Sequence, residues 1–211
     1  MTLYQLIKEA LKLDLSQDYP HHPQLREEVK GIAQDSRRLA AGYVFITRRG
    51  EVVDGHRYIP QALEKGVLAI VGEASPAEQQ VFNLSIPYIQ VADDKGALGQ
   101  LASAFYGRPS EKLVTFGVTG TDGKTTTSYM LYHLLSAKYK TGLMSTASVR
   151  VGQQSLETVG HFTSPEAPEV QGFLAAFVKG VYPCGGGVEQ SWVGDEEARA
   201  PLLRSRHLHQ P

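Results

Sequence analysis

The sequence predicts an α/β protein: a small N-terminal α/β domain, then the start of a parallel-sheet domain built on a phosphate loop and left incomplete. Three observations predict this. Through the first half of the chain, apolar runs of strand length alternate with segments of helical periodicity. A glycine-rich stretch, Gly117-Val118-Thr119-Gly120-Thr121-Asp122-Gly123-Lys124-Thr125-Thr126-Thr127, lies between an apolar run and an amphipathic one. From Gly180 onward the periodicity stops.

In chain order, residues 2–12 alternate charged and apolar groups as an amphipathic helix does. Val29-Lys-Gly-Ile-Ala is a short strand leading into Gln34-Asp35-Ser36-Arg37, and Tyr43-Val-Phe-Ile is a second strand. Asp54-Gly55 starts a helix with Ile59, Ala62 and Leu63 on its apolar face, and Gly66 ends it. Val67-Leu-Ala-Ile-Val and Pro87-Tyr-Ile-Gln-Val are buried strands. A helix near Lys95–Tyr106 carries Leu98, Leu101, Ala102 and Phe105 at helical spacing. Gly107-Arg-Pro-Ser-Glu-Lys punctuates the chain as a linker, which gives domains over 1–108 and 109–180.

In the second domain Leu113 to Val118 reads as a buried parallel strand, followed by the glycine loop and a helix from Ser128. Thr141-Gly-Leu-Met-Ser reads as the next strand, parallel to the first if the helix is a crossover. Val149-Arg-Val and Gln153-Gln-Ser-Leu-Glu read as a hairpin. A helix then runs to about Lys179, with Pro165 in its first turn and Ser or Thr as its cap. Two strands are too few for such a domain, whose central strands need cover on both edges and faces.

The order strand, glycine loop, Lys-Thr, helix turns the loop from a glycine motif into a candidate site for a nucleoside triphosphate. Gly120, Thr121, Asp122, Gly123, Lys124, Thr125 and Thr126 form the cradle. Glycines let consecutive N–H groups face one anion, and the helix N-terminus adds partial positive charge. Lys124 reaches the β- and γ-phosphates, and the Thr125 hydroxyl is the candidate ligand for a magnesium ion. Strict spacing would put a glycine at 118, where Val118 stands, so the loop is a variant. The plainer alternative is a glycine turn capping an ordinary helix.

Bulk properties exclude several classes. A net charge of −1 offers no field for nucleic acid or an anionic membrane surface. The apolar runs are far short of a membrane span. One cysteine, Cys184, excludes an internal disulfide framework and a cysteine-rich zinc site. With no signal-peptide core at the N-terminus, the expected location is cytoplasmic.

The run 117–127 resembles the ATP loop of the Mur ligases of peptidoglycan synthesis, where Gly-Thr-Asn-Gly-Lys-Thr is usual and Asp122 stands here in the Asn place. The N-terminal half is similar to the MurE type of that family. The matching pieces are Asp35-Ser36-Arg37, Gly42-Tyr-Val-Phe-Ile, Asp54-Gly55-His56, Tyr58-Ile-Pro-Gln-Ala-Leu and Gly66-Val-Leu-Ala-Ile-Val. Thr163-Ser164-Pro165-Glu166 resembles that type's Thr-Thr-Pro segment, and the likeness covers roughly residues 25–180.

The resemblance implies an ATP- and Mg2+-dependent amide ligase, acting as a monomer. Its expected substrates are UDP-N-acetylmuramoyl-L-alanyl-D-glutamate and an amino acid. A substrate carboxylate would attack the γ-phosphate, and the amine would then displace phosphate, with Lys124 as the catalytic cation. Ser36 would contact the uridine nucleotide, and Thr163 and Ser164 the muramoyl peptide. Asp122 would add a carboxylate that either helps hold magnesium or repels ATP. Two other readings compete: a non-catalytic UDP-sugar-peptide or nucleotide-binding module, and a ligase like folylpolyglutamate synthetase, which shares a similar loop.

Beyond Gly180 the likeness stops. The family reads approximately Thr-His-Ala-Val-Val-Glu-Ser-Ser-Ser-His-Gly-Leu-Ala, with a magnesium-binding Glu, where this chain has Tyr182-Pro-Cys-Gly-Gly-Gly-Val-Glu-Gln-Ser-Trp-Val-Gly194. Moving the reading frame one base forward from the Tyr182 codon, with a permitted codon at each position, can yield that family segment residue for residue. Leu208-His-Gln-Pro211 yields Phe-Thr-Asn-Leu, another family segment, in the same way. The expectation is therefore that residues 181–211 are read out of frame and disordered, and that the chain is a truncated, inactive fragment. On this reading Cys184 is no nucleophile and His207 and His209 are no metal pair.

Overall fold

The structure is a computed structural model that describes residues 1–48, 54–74, 84–145, 148–151, 154–157 and 165–180. The chain divides into two compact units, Met1–Gly107 and Arg108–Pro211.

The first unit is a four-stranded, all-parallel sheet in the order β1-β2-β3-β4: β1 is Gly31–Ala33, β2 Tyr43–Ile46, β3 Ala69–Gly72 and β4 Tyr88–Gln90. Both faces are covered, so the strands read as apolar runs rather than alternating ones. On one face Ala33, Phe45, Ile70 and Tyr88 pack with Leu39, Ile86, Val67 and with Ile59 and Ala62 of α2 (Ile59–Glu64). Phe45 is fully buried in the middle of this layer, and burying such a side chain contributes roughly 1.5–3 kcal/mol. Residues of opposite parity, Ile32, Val44, Ile46, Val71 and Ile89, are buried as well. α1 (Leu3–Leu11) packs against α3 (Asp94–Phe105), and α3 against β1.

Local chemistry sets the helix starts. Thr2 and Gln5 form a reciprocal capping box on α1, with Gln5 N–H donating to Thr2 Oγ1 (3.3 Å) and Thr2 N–H to Gln5 Oε1 (3.0 Å). Asp93 Oδ1 accepts the Gly96 N–H at 3.0 Å and caps α3. At the β4 edge, the Tyr19 hydroxyl donates to Tyr88 O (2.6 Å) and accepts from Tyr88 N (3.2 Å), which closes one position of an otherwise open strand.

The second unit holds α4 (Lys124–Ser136), the antiparallel sheet β5-β6-β7 (Gly142–Met144, Ser148–Val151, Gln154–Glu157) and α5 (Ala167–Lys179). The expected hairpin is β6-β7. The Phe177 ring of α5 lies against Gly142 of β5.

Two expectations are corrected here, on Leu113–Val118 and on the cap of α5. Leu113–Val118 is not a buried parallel strand: among the described residues no strand pairs with it, and Val114 and Phe116 are 47% and 61% exposed. An apolar run becomes a parallel strand only through its neighbours, and none of the described strands supplies that ladder. The strand at Gly142–Met144 pairs antiparallel with β6; with no strand at Leu113–Val118 among the described residues, the expected parallel pairing of the two is not formed there. On α5 the cap is Glu166, whose box partner is Glu169, with Pro168 in the first turn. Pro165 lies outside the helix, and the Glu166 carboxylate takes the capping role expected of Ser or Thr. Thr163, Ser164 and residues 181–211 fall outside the described residues.

Candidate functional site

In an open parallel sheet, ligands bind beyond the carboxyl ends of the strands. In the first unit that edge collects Gln34, Asp35 and Ser36 after β1, Thr47 and Arg48 after β2, and Gly72 and Glu73 at the end of β3. The Asp35 carboxylate caps a 3₁₀ turn, Ser36–Arg38, by accepting the Arg37 N–H at 2.9 Å. The Arg37 guanidinium returns to the same carboxylate through Nε (3.0 Å) and Nη2 (2.7 Å), and these bonds hold the Asp35 carboxyl below its ordinary range. Ser36 is almost buried in this turn, at 6% exposure. Lys65 Nζ donates to the Ser36 carbonyl at 2.7 Å.

A polar lattice joins the strand ends. Arg48 Nη1 donates to Gln34 Oε1 (2.9 Å), and Arg48 Nε faces Asp94 Oδ1 at 3.3 Å. The Asp94 N–H donates to Glu73 Oε1 at 3.0 Å, and Gln90 Nε2 to the Glu73 carbonyl at 3.1 Å. One oxygen each of Glu73, Asp93 and Asp94 falls within 4.8 Å of the others. Asp93 and Glu73 are engaged by helix N–H groups and Arg48 sits on Asp94, so the trio reads as the capped, neutralised start of α3.

Burial first, and then Glu73, pushes the Asp94 carboxyl above its ordinary 3.8, with Arg48 opposing. The folded chain therefore keeps this proton to a higher pH than the unfolded one. The contribution to stability is full below 3.8 and is lost as pH rises through the raised value. Relative to Asp94→Asn, the wild-type unfolding midpoint should fall as pH climbs upward from 3.8. Parallel melting profiles for the two proteins would contradict this.

Behind the edge lies a buried polar knot. His56, with 2% of its side chain exposed, has Nδ1 2.6 Å from Asp54 Oδ1. Its Nε2 has no partner among the described residues. A Cβ at Gly72 would strike Thr47 Oγ1 and Tyr88 Oη, so this strand end admits only glycine without rearrangement.

In the second unit the glycine loop is exposed throughout, from Thr119 to Thr127. Gly123, at φ +75°, turns the chain through the left-handed region and forms the N-cap of α4. Thr127 N–H makes the first helical bond, to Gly123 O at 2.9 Å, which leaves the amides of Lys124, Thr125 and Thr126 as the unpaired first-turn donors of α4. Lys124 Nζ folds back onto the carbonyls of Gly120 (2.5 Å) and Thr121 (2.9 Å). The loop thus gathers Gly120 to Thr126 around one helix N-terminus. Its free amides, ammonium and exposed Thr125 hydroxyl are the donor set that a triphosphate with magnesium requires.

The structure therefore brings the loop residues together and seats Ser36 at the sheet edge. The Arg48–Asp94–Glu73 lattice and Lys65 escaped the sequence reading. Only the Asp93-Asp94 pair ahead of α3 carried a signal, as a helix cap.

Two family models match the chain: "Mur ligase family, catalytic domain" over residues 28–106 and "Mur ligase middle domain" over residues 118–182. A UDP-N-acetylmuramyl-tripeptide synthetase of Roseiflexus sp. (strain RS-1) is 41% identical over 175 residues, covering 82% of this chain and 33% of the relative. A UDP-N-acetylmuramoyl-L-alanyl-D-glutamate--2,6-diaminopimelate ligase of Bacteroides fragilis is 43% identical over 140 residues, covering 66% of this chain and 28% of the relative. Among solved structures, MurF from Acinetobacter baumannii superposes with a TM-score of 0.51 at 25% identity, over 82% of this chain and 32% of that one. The chain thus spans about a third of the length of the relatives it matches.

Proposed function

Because this chain belongs to the Mur ligase family, we propose that it is the nucleotide-binding part of a MurE-type ligase. The full enzyme joins an amino acid to UDP-N-acetylmuramoyl-L-alanyl-D-glutamate, using ATP and Mg2+. The observation that carries the reading is the exposed glycine loop at the start of α4, in a chain that is 41% and 43% identical, over 175 and 140 residues, to a tripeptide synthetase and a diaminopimelate ligase.

In this reading residues 1–108 hold the uridine diphosphate end through Ser36, and residues 109–180 begin the ATP domain. Lys124 and the amides of the loop stabilise negative charge on the transferring phosphoryl group, and Thr125 offers its hydroxyl to magnesium. Thr163 and Ser164 contact the muramoyl peptide. The acceptor is an amino acid, named as diaminopimelate in one relative. The full enzyme is taken to be a cytoplasmic monomer. No helix among the described residues is long and apolar enough to cross a membrane.

Residues 181–211 are read out of frame. The middle-domain match ends at Tyr182, the codon from which a one-base shift can regain the family segment. Ligase activity is therefore absent from this chain, whereas binding is retained.

Isothermal titration of the full chain with UDP and with MgATP tests the reading. Both should bind, each unaffected by saturation with the other. UDP binding alone would point to a non-catalytic module, and binding of neither would overturn the assignment.

A further inference from the structure

We propose that Lys65 is a positioning residue for Ser36, fixing the turn that presents this serine to the nucleotide; the inference rests on the reading that Ser36 contacts UDP.

Lys65 follows the last residue of α2, and its own backbone is anchored. Its N–H donates to Gln61 O at 3.2 Å, and the next carbonyl, Gly66 O, accepts the Gly42 N–H at 3.0 Å. From this fixed base Nζ reaches 28 and 29 residues back in sequence. It donates to two successive carbonyls of the 3₁₀ turn, Ser36 O at 2.7 Å and Arg37 O at 3.4 Å. Among the described residues the other backbone partner of Ser36 O is the Leu39 N–H, at a long 3.4 Å. A charge-assisted donor is the stronger of the two.

The turn is thus held from both sides. The Asp35 carboxylate grips its N–H side through Arg37 N at 2.9 Å, and the Lys65 ammonium grips its carbonyl side. No carboxylate pairs with Lys65 among the described residues, so the ammonium is committed to these neutral carbonyls. Without Lys65 the turn keeps one clamp, and ligand binding must then supply the ordering that the lysine provides in advance.

The test uses the full chain and measures affinity for UDP and for uridine by NMR titration. Lys65→Met should weaken both ligands by the same factor, roughly tenfold, as expected for losing one hydrogen bond from a charged group. The unfolding midpoint should fall only slightly, by no more than the loss of one such bond requires, and Lys65→Arg should restore most of the affinity. Because Lys65 acts through Ser36, the double variant Ser36→Ala/Lys65→Met should bind no worse than Ser36→Ala alone. Should Lys65→Met fail to fold, Lys65→Gln carries the same comparison.

A loss confined to UDP would overturn the proposal by making Lys65 a phosphate contact, and so would additive losses in the double variant. Equal affinity of wild type and Lys65→Met would overturn it outright. A wild-type chain that binds no UDP would instead sink the underlying reading of Ser36.

Discussion

Replacing Lys124 with alanine should remove MgATP binding from the chain, lowering affinity by about two orders of magnitude or more. The ammonium lies on the Gly120 and Thr121 carbonyls, at the mouth of the loop whose first-turn amides have no helical partner. A triphosphate entering the loop offers the ammonium a far better partner than two neutral carbonyls, so Nζ swings to it. A charged hydrogen bond contributes about 1.5–3 kcal/mol, and a buried phosphate left without its cation costs more. Lys124→Arg should recover only part of the loss, because a planar fork does not replace a point charge in a loop of this curvature. UDP affinity should stay at the wild-type value in both variants, since Ser36 belongs to the other compact unit. Titration calorimetry with both nucleotides reads this pattern directly. Equal MgATP affinity in Lys124→Ala and wild type would mean that the glycine loop is only a helix cap.

Restoring the shifted frame should have the larger effect on the protein's physical behaviour. The second unit leaves Val114 (47%), Phe116 (61%), Met130 (62%) and Leu134 (73%) exposed. Val114 and Phe116 have the two-residue spacing of one strand face, and Met130 and Leu134 the four-residue spacing of one helix face. Two such apolar faces are the surface that a missing strand and its neighbours would cover, and in the present chain they invite aggregation. Reading one base forward from the Tyr182 codon supplies the run Ala-Val-Val-Glu, which has strand character. Full burial of such a side chain contributes roughly 1.5–3 kcal/mol, and covering these partly exposed ones contributes a part of that each. The restored chain should bind far less of a hydrophobic dye and stay monomeric at higher concentration. It should also protect the amides of residues 113–118 from hydrogen exchange. Unchanged dye binding and exchange in the restored chain would remove the physical argument for the frame shift.

Most of the first unit was legible because each of its elements carries its own signal. Tyr43-Val-Phe-Ile and Val67 to Val71 are continuous apolar runs, as strands covered on both faces must be, and Gly66 ends the α2 segment where expected. The glycine loop was legible as well, since its order of strand-like run, loop and helix is a local pattern. The second unit was harder for a reason visible at Leu113–Val118: the run has strand composition, but strand structure depends on partners that the described residues do not provide. At the candidate site, Ser36 came only from family likeness. Lys65 and Arg48 left no trace in the sequence, because contacts across 29 and 46 residues depend on the fold that brings them together.

What this chain is depends most on whether the codons after Phe177 encode a ligase in another frame. Resequencing the DNA across Phe177 to Tyr182 from the source organism measures this directly. The predicted result is a one-base difference after which the frame reads Thr-His-Ala-Val-Val-Glu-Ser-Ser and continues as an open coding sequence. A confirmed frame through Pro211, followed by a stop codon, would contradict it and leave a shortened, nucleotide-binding protein in place of the ligase.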